Sequence, residues 1–146
     1  MDGVKTGRTE SAGFCLIASA KMEDTRLISI TLNSSSEKTR LTDSRRLLDY
    51  GFRYYKTKKI LSEGEHLKDE EVWGGQIDRV KISSSTDVYL TLPSNDFKDL
   101  DVLVALDDYL VAPIQKGQKV GNVLLKRGDN ILSRTSVESS EEVEGQ

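Results

Sequence analysis

Apolar and polar positions in residues 1–57 first form short runs that are separated by polar turn residues. The runs are GVKTGRT, GFCLIASAK and RLISITLN, and their lengths and spacing predict three strands in an antiparallel meander. In the second run, Phe14, Leu16 and Ala18 fall on one face, and the opposite face is also mostly apolar. This pattern predicts a strand that is covered on both sides.

The pattern then changes to helical spacing. Four residues make an apolar stripe: Leu41, Leu48, Phe52 and Tyr55. Ser34 and Glu37 have the spacing of a capping box, and lysines follow the stripe where cations suit the helix dipole. We therefore expect a helix over about residues 36–55.

From about residue 58 the pattern changes again, to short β-like runs punctuated by glycine and proline. Such a series predicts a small β-sandwich or barrel over residues 58–137. The acidic, polar end at 138–146 predicts a mobile tail or a linker. The chain is therefore expected to be α+β, with strands and a helix over residues 1–57 and an all-β domain after them.

The composition of the chain argues against several classes of function. The 146 residues carry a net charge of −3, which gives no electrostatic footprint for nucleic acid. The single cysteine, Cys15, excludes an intrachain disulfide. With only one cysteine and one histidine, His66, a zinc site is implausible, and we expect no cofactor. No apolar run approaches the roughly 20 residues that cross a bilayer, and no signal peptide is visible.

The candidate chemistry lies in the first strand, at Lys5, Thr6 and Gly7. A lysine supplies positive charge beside a reacting centre, and a threonine hydroxyl can bond a carboxylate or carbonyl. A glycine lets a substrate backbone lie against the strand. The tripeptide alone is a weak signal, because it arises by chance in about a few per cent of chains of this length.

The order of matching segments is more specific. DGVKTGRTESAGFCLIASAK, RLISITL and SRRLLDYGFRYY, followed by VWGG, DVYLTLP, FKDL and APIQKGQKVGNVLL, resemble the serine-type D-alanyl-D-alanine carboxypeptidases. These are the low-molecular-mass penicillin-binding proteins. The resemblance covers residues 2 to about 137 and implies the C-terminal piece of a serine transpeptidase/β-lactamase-like domain, followed by a small β-sandwich domain.

The resemblance implies removal of the terminal D-alanine from peptidoglycan pentapeptide stems by a serine acyl-enzyme mechanism. The family motifs are Ser-x-x-Lys, Ser-x-Asn and Lys-Thr-Gly. Only the third is found here, at Lys5, Thr6 and Gly7. The run from Ser35 to Lys38 has the first motif's spacing, but it follows the KTG motif and overlaps the helix cap. We therefore expect no nucleophile in this chain and no activity from the chain alone.

The resemblance also implies a substrate-carboxylate site formed by Thr6, Arg8 and Arg40. Arg8 stands where relatives usually carry histidine. Arg40 matches a family arginine at the start of the long helix, and its fork-shaped guanidinium suits a carboxylate.

The implied partners are the pentapeptide stem, β-lactams and the missing N-terminal part of the enzyme. The implied location is the periplasm or the outer face of the cytoplasmic membrane. The resemblance also implies attachment by a C-terminal amphipathic helix, and we expect no such helix within these residues.

A second hypothesis remains open. The β-domain would be a non-catalytic module for protein or cell-wall binding. Trp73 is expected in the core of that domain or at its interface with the first domain. The RGD at residues 127–129 is expected to be a hairpin turn. On the first domain, Phe14, Ile17, Ile28 and Ile30 would form a sticky patch if their face is uncovered.

Overall fold

The computed structural model describes residues 1–146 and separates into two compact units. The first unit comprises Met1–Lys58 and Thr91–Asn95, and the second comprises Lys59–Leu90 and Asp96–Gln146. No helix in the structure combines the length and apolar composition that crossing a bilayer requires.

The first unit contains a three-stranded sheet and one α-helix, together with short parts of two further strands at residues 55–58 and 91–93. The elements in chain order are β1 (Gly3–Thr9), β2 (Gly13–Met22), β3 (Thr25–Ser34) and α1 (Glu37–Tyr54). The strands pair antiparallel in the order β1-β2-β3, as the short connections predicted.

Helix α1 starts within one residue of its predicted position, but its cap differs. Ser36 is the N-cap, and its hydroxyl oxygen accepts a hydrogen bond from the Thr39 N–H at 3.1 Å. The predicted capping box from Ser34 to Glu37 is therefore wrong. Ser34 instead ends β3, where it pairs with Phe14.

The core of the first unit lies between α1 and one face of the sheet. Leu16, Ala18, Ala20 and Leu48 are buried there, with Leu27 and Phe52 packed against them. Two residues of the predicted apolar stripe need correction. Leu41 is exposed, and Tyr55 is exposed as the C-cap that follows the helix. The buried face of the helix instead includes Arg40 and Ser44.

The opposite face of the sheet is not covered, so the prediction of a strand buried on both sides is wrong. Ile17, Ile28, Ile30 and Leu32 are exposed on that face, at 46%, 64%, 59% and 70%. The sticky patch expected at Ile17, Ile28 and Ile30 is therefore present. Phe14 is only half-exposed, and Arg8 and Arg40 lie close to its ring.

The rest of the chain is almost entirely β-structure. The elements are β4 (Tyr55–Leu61), β5 (His66–Trp73), β6 (Arg79–Ser84), β7 (Val88–Pro93), a short 3₁₀ helix (Asp96–Asp99), β8 (Asp101–Leu106), β9 (Leu110–Val111), β10 (Lys119–Arg127) and β11 (Asn130–Ser139). Six strands form one sheet in the order β8-β10-β11-β6-β5-β9, and β4 pairs with β7. The RGD segment forms the turn of the β10–β11 hairpin, as predicted.

The acidic end of the chain is folded. Strand β11 continues to Ser139, and Val143 is 1% exposed. The N–H groups of Ile114 and Val143 each donate to the other residue's carbonyl oxygen at 2.8 Å, and the Gln146 N–H donates to the Gly74 carbonyl oxygen at 3.0 Å. The predicted mobile tail at 138–146 is wrong, because one buried valine and a bridge of backbone hydrogen bonds hold the segment in place.

Candidate functional site

The KTG residues lie on β1, at the edge of the three-stranded sheet. The strand pairs only with β2, where Lys5, Thr6 and Gly7 face Ile17, Leu16 and Cys15. All three KTG residues are exposed, and the Lys5 ammonium donates to the Thr6 carbonyl oxygen at 3.1 Å. The outer backbone edge of β1 is therefore open to an extended ligand.

Gly7 has free space beside it. A Cβ atom at this position would meet no heavy atom within 4 Å, and the residue is not among the glycines with positive φ. Neither packing nor backbone conformation within this chain requires glycine here. The space beside Gly7 is therefore open to a ligand.

Arg40 extends from the first turn of α1 towards β1 and β2. Its Nη1 group donates to the Gly7 carbonyl oxygen at 3.4 Å and to the Cys15 carbonyl oxygen at 3.3 Å. Its Nη2 group forms an ion pair with Glu37 at 2.8 Å. The residue is only 6% exposed, and its Nε atom is buried without a partner. Arg40 therefore ties the KTG strand to the helix.

Phe14 lies beside both candidate arginines. It pairs with Arg8 across β1 and β2, and the Arg8 guanidinium carbon is 4.6 Å from the centre of its ring. The Arg40 guanidinium carbon is 5.6 Å from the same ring. These distances are within the range of cation–π attraction. The ring of Phe14 thus keeps the guanidinium groups of Arg8 and Arg40 close to the KTG residues.

Sequence reasoning did not assign Phe14 or Glu37 to the site. A cross-strand neighbour can be identified only after the register is known, and a one-residue slip would move Phe14 to the other face. The spacing of Glu37 and Arg40, three residues apart on a helix, was a usable signal.

The serines near the helix start serve the helix. Ser36 is the N-cap, and the hydroxyls of Ser35 and Thr39 lie 3.3 Å apart. Lys38 is exposed. The Ser-x-x-Lys spacing from Ser35 to Lys38 therefore overlaps the N-cap of the helix.

An ion pair holds the start of β1 to β3. Both carboxylate oxygens of Asp2 contact the guanidinium of Arg26, at 2.9 and 2.8 Å. The hydrogen bond from Arg26 lowers the pKa of the Asp2 carboxyl from its ordinary value, since it favours the charged form.

Two parts of the chain match known protein families. Residues 55–145 match the family described as penicillin-binding protein 5, C-terminal domain. The chain belongs to this family. Residues 1–36, which contain β1 to β3 and the KTG motif, match the D-alanyl-D-alanine carboxypeptidase family. The resemblance inferred from the sequence is confirmed.

Individual carboxypeptidases agree with this assignment. DacA of Escherichia coli strain K12 is 41% identical over 124 residues, covering 84% of this chain and 31% of the relative. DacF of Bacillus subtilis is 31% identical over 144 residues, covering 98% of this chain and 37% of the relative. Penicillin-binding protein 5 of Haemophilus influenzae superposes with a TM-score of 0.82 at 30% identity, covering 97% of this chain and 42% of that structure.

The chain spans about a third of the length of these two curated relatives. The mostly β architecture with one α-helix agrees with the Haemophilus structure.

Proposed function

We propose that this chain is part of a D-alanyl-D-alanine carboxypeptidase that trims peptidoglycan pentapeptides through a serine acyl-enzyme. The observation that carries the proposal is the exposed KTG edge strand with free space beside Gly7, within a segment that matches the carboxypeptidase family. The intact protein would act in the periplasm or at the outer face of the cytoplasmic membrane and would be acylated by β-lactams.

In this proposal β1 is one wall of the active site. Gly7 leaves room for the substrate backbone, which lies along the open strand edge. Lys5 supplies positive charge next to the scissile carbonyl, and the Thr6 hydroxyl donates to the substrate carboxylate. The positive charge of Lys5 would stabilise the negative charge that develops on the carbonyl oxygen as the serine attacks.

Arg8 and Arg40 complete the carboxylate site with Thr6. Arg8 is exposed, so its guanidinium can contact a carboxylate directly. Arg40 adds positive charge from behind the strand and holds the Gly7 carbonyl. Stacking on Phe14 limits the motion of Arg8, which lowers the entropy cost of binding.

We assign residues 1–57 to the C-terminal strands and helix of a transpeptidase-like catalytic domain and residues 58–137 to a β-sandwich domain. The exposed isoleucine face of the three-stranded sheet is the surface that the remainder of such a domain would cover. The sequence holds no Ser-x-x-Lys ahead of Lys5, so the attacking serine would lie outside these residues. These residues alone would be inactive.

The test is labelling by a fluorescent penicillin, using a longer protein that contains these residues and the upstream serine motifs. Gly7→Ala is expected to reduce the labelling rate by on the order of a hundredfold, because the added methyl displaces the ligand from the strand. The 146 residues alone are expected to stay unlabelled.

Gly3→Ala is the matched control, because it adds the same methyl to the same strand. At Gly3 the nearest heavy atom to an added Cβ is 3.6 Å away, which is an ordinary contact. The free energy of unfolding of each variant should lie within about 0.5 kcal/mol of the value for the parent protein. Equal labelling of the two variants, or labelling of the 146 residues alone, would contradict the proposal.

A further inference from the structure

The second unit carries an open groove of about 390 Å³ at one end of its six-stranded sheet. Its lining includes Trp73, Tyr109 and Leu110. Val72 and Trp73 at the end of β5 pair in parallel with Leu110 and Val111 of β9. This pairing brings the two aromatic residues to one concave surface. The volume falls within the range of ligand-binding clefts in proteins.

Both rings are unusually exposed for aromatic side chains. Trp73 is 62% exposed and Tyr109 is 83% exposed, so the first of the two alternatives predicted for Trp73, a place in the core of the β-domain, is wrong. The Asp108 carboxylate accepts the Tyr109 N–H at 2.7 Å, which fixes the backbone of the turn that presents this tyrosine. Exposed aromatic residues at a groove are typical of binding surfaces, where they supply large contact areas.

The groove is negatively charged. Its lining contains the carboxylates of Glu70, Glu71 and Asp108 and no basic side chain. Lys68 forms an ion pair with Glu70 at 2.5 Å. Glu71 is exposed and forms no ion pair, although Arg79 lies opposite it in the β5–β6 register. The carboxylates of Glu71 and Asp108 are therefore available to a ligand, and together with aromatic faces such groups attract an ammonium or guanidinium group.

The backbone next to the groove is also open. Strand β9 is the last in the sheet order, so no strand pairs with its outer edge. The strand has only two residues, so a short extended segment of a peptide can pair with this edge and direct a neighbouring side chain towards the groove. A basic side chain would then reach the rings and carboxylates, while apolar neighbours cover the exposed side chain of Val111.

We propose that this groove binds an extended, basic segment of a protein partner, with a lysine or arginine side chain held by Trp73, Tyr109 and Glu71. The groove lies in the second unit, whereas the KTG strand lies in the first. The proposed binding therefore needs neither the KTG strand nor an acylated serine. It gives the β-structure a recognition function that is separate from the chemistry proposed above.

The test uses Trp73 as its own probe, since it is the chain's one tryptophan. The chain is titrated with a capped peptide that alternates lysine and valine, and separately with its glutamate–valine counterpart. The basic peptide should change Trp73 fluorescence in a saturable way, and the acidic peptide should not. Binding should weaken as salt is added, since the charges are exposed.

Variants assign the interaction to the groove. Glu71→Gln should weaken the basic peptide about threefold, as expected for an exposed ion pair. Glu63→Gln is the matched control, because it removes the same charge from an exposed turn outside the groove lining. Trp73→Leu and Tyr109→Leu should each weaken binding by about two- to fivefold, measured by anisotropy of a fluorescein-labelled peptide.

Three results would overturn the proposal. The first is equal weakening by Glu71→Gln and Glu63→Gln, which indicates non-specific charge attraction. The second is a fluorescence response to glucosamine oligomers or phosphatidylglycerol vesicles with none to the basic peptide. The third is unchanged binding by Trp73→Leu and Tyr109→Leu variants whose unfolding midpoints match that of the parent chain.

Discussion

Arg40 shows how a single residue joins the site to the scaffold. The resemblance predicted a residue that contacts substrate, and the structure places it next to Gly7 but largely buried. Its long side chain passes between helix and sheet, and its guanidinium donates to two backbone carbonyls. A contact between Arg40 and a substrate carboxylate stays a prediction. The hydrogen bonds to the strand are present without a ligand.

Replacing Arg40 with methionine tests this role. Arg40→Met keeps much of the side-chain volume but leaves the carbonyls of Gly7 and Cys15 without that donor and frees Glu37. The free energy of unfolding, measured by urea titration, should fall by about 1–3 kcal/mol. Arg45→Met on the exposed side of the same helix should change it by less than about 0.5 kcal/mol. Similar losses of unfolding free energy in the two variants would mean that the contacts of Arg40 do not stabilise the fold.

At the scale of elements, periodicity predicted where strands and helix lie better than which residues they bury. The helix has one buried stripe, but Arg40 and Ser44 occupy part of it, and the hydroxyls of Ser44 and Ser29 hydrogen-bond there. A hydrophobicity pattern cannot find polar residues that are satisfied inside a core, because partners on another element satisfy them.

Strand β10 offers a test of close packing between strands. At Gly121, which pairs with Leu106 of β8, an added Cβ would overlap the carbonyl oxygen of Ala105 and lie 2.7 Å from the Leu106 Cα. These are backbone atoms and cannot rotate away. Gly121→Ala should therefore lower the free energy of unfolding by about 1–3 kcal/mol.

Gly7→Ala provides the contrast, because its added methyl would meet no atom of the chain. Both glycines lie within strands, so the two substitutions change strand propensity in the same direction. Thermal unfolding followed by circular dichroism compares them directly. Equal melting temperatures would show that the sheet adjusts at Gly121.

At the scale of the whole molecule, the chain has two compact units with different surfaces. The first unit exposes an apolar sheet face, and the second exposes aromatic residues at an acidic groove. Contiguous exposed apolar surface promotes association. The isoleucine face is the stronger candidate for self-association, because it carries several large aliphatic side chains on adjacent strands.

Reducing that face should reduce self-association. Ile28→Thr combined with Ile30→Thr keeps β-branching on β3 while removing apolar surface from two exposed positions. Sedimentation velocity over a range of concentrations should show less oligomer than for the parent chain. Val102→Thr with Ile131→Thr is the matched control, on similarly exposed positions of the second unit. A parent chain that stays monomeric at every concentration would contradict the expectation.

The sequence by itself determined the kinds of elements and their order. Three strands, one helix and a series of short strands follow from spacing and turn residues, which are local properties of the chain. The KTG motif and the ordered segments around it were enough to indicate the family, and the family match confirms this.

Only the tertiary structure decided which residues meet. Phe14, Arg8 and Arg40 come together through strand register and helix packing, and both depend on contacts between residues distant in sequence. The same reason explains the acidic end, which reads as a mobile tail until the burial of Val143 and its backbone hydrogen bonds to Ile114 are seen. The composition of a segment indicates only how readily water solvates it. Whether the segment is ordered depends on its burial against the rest of the chain.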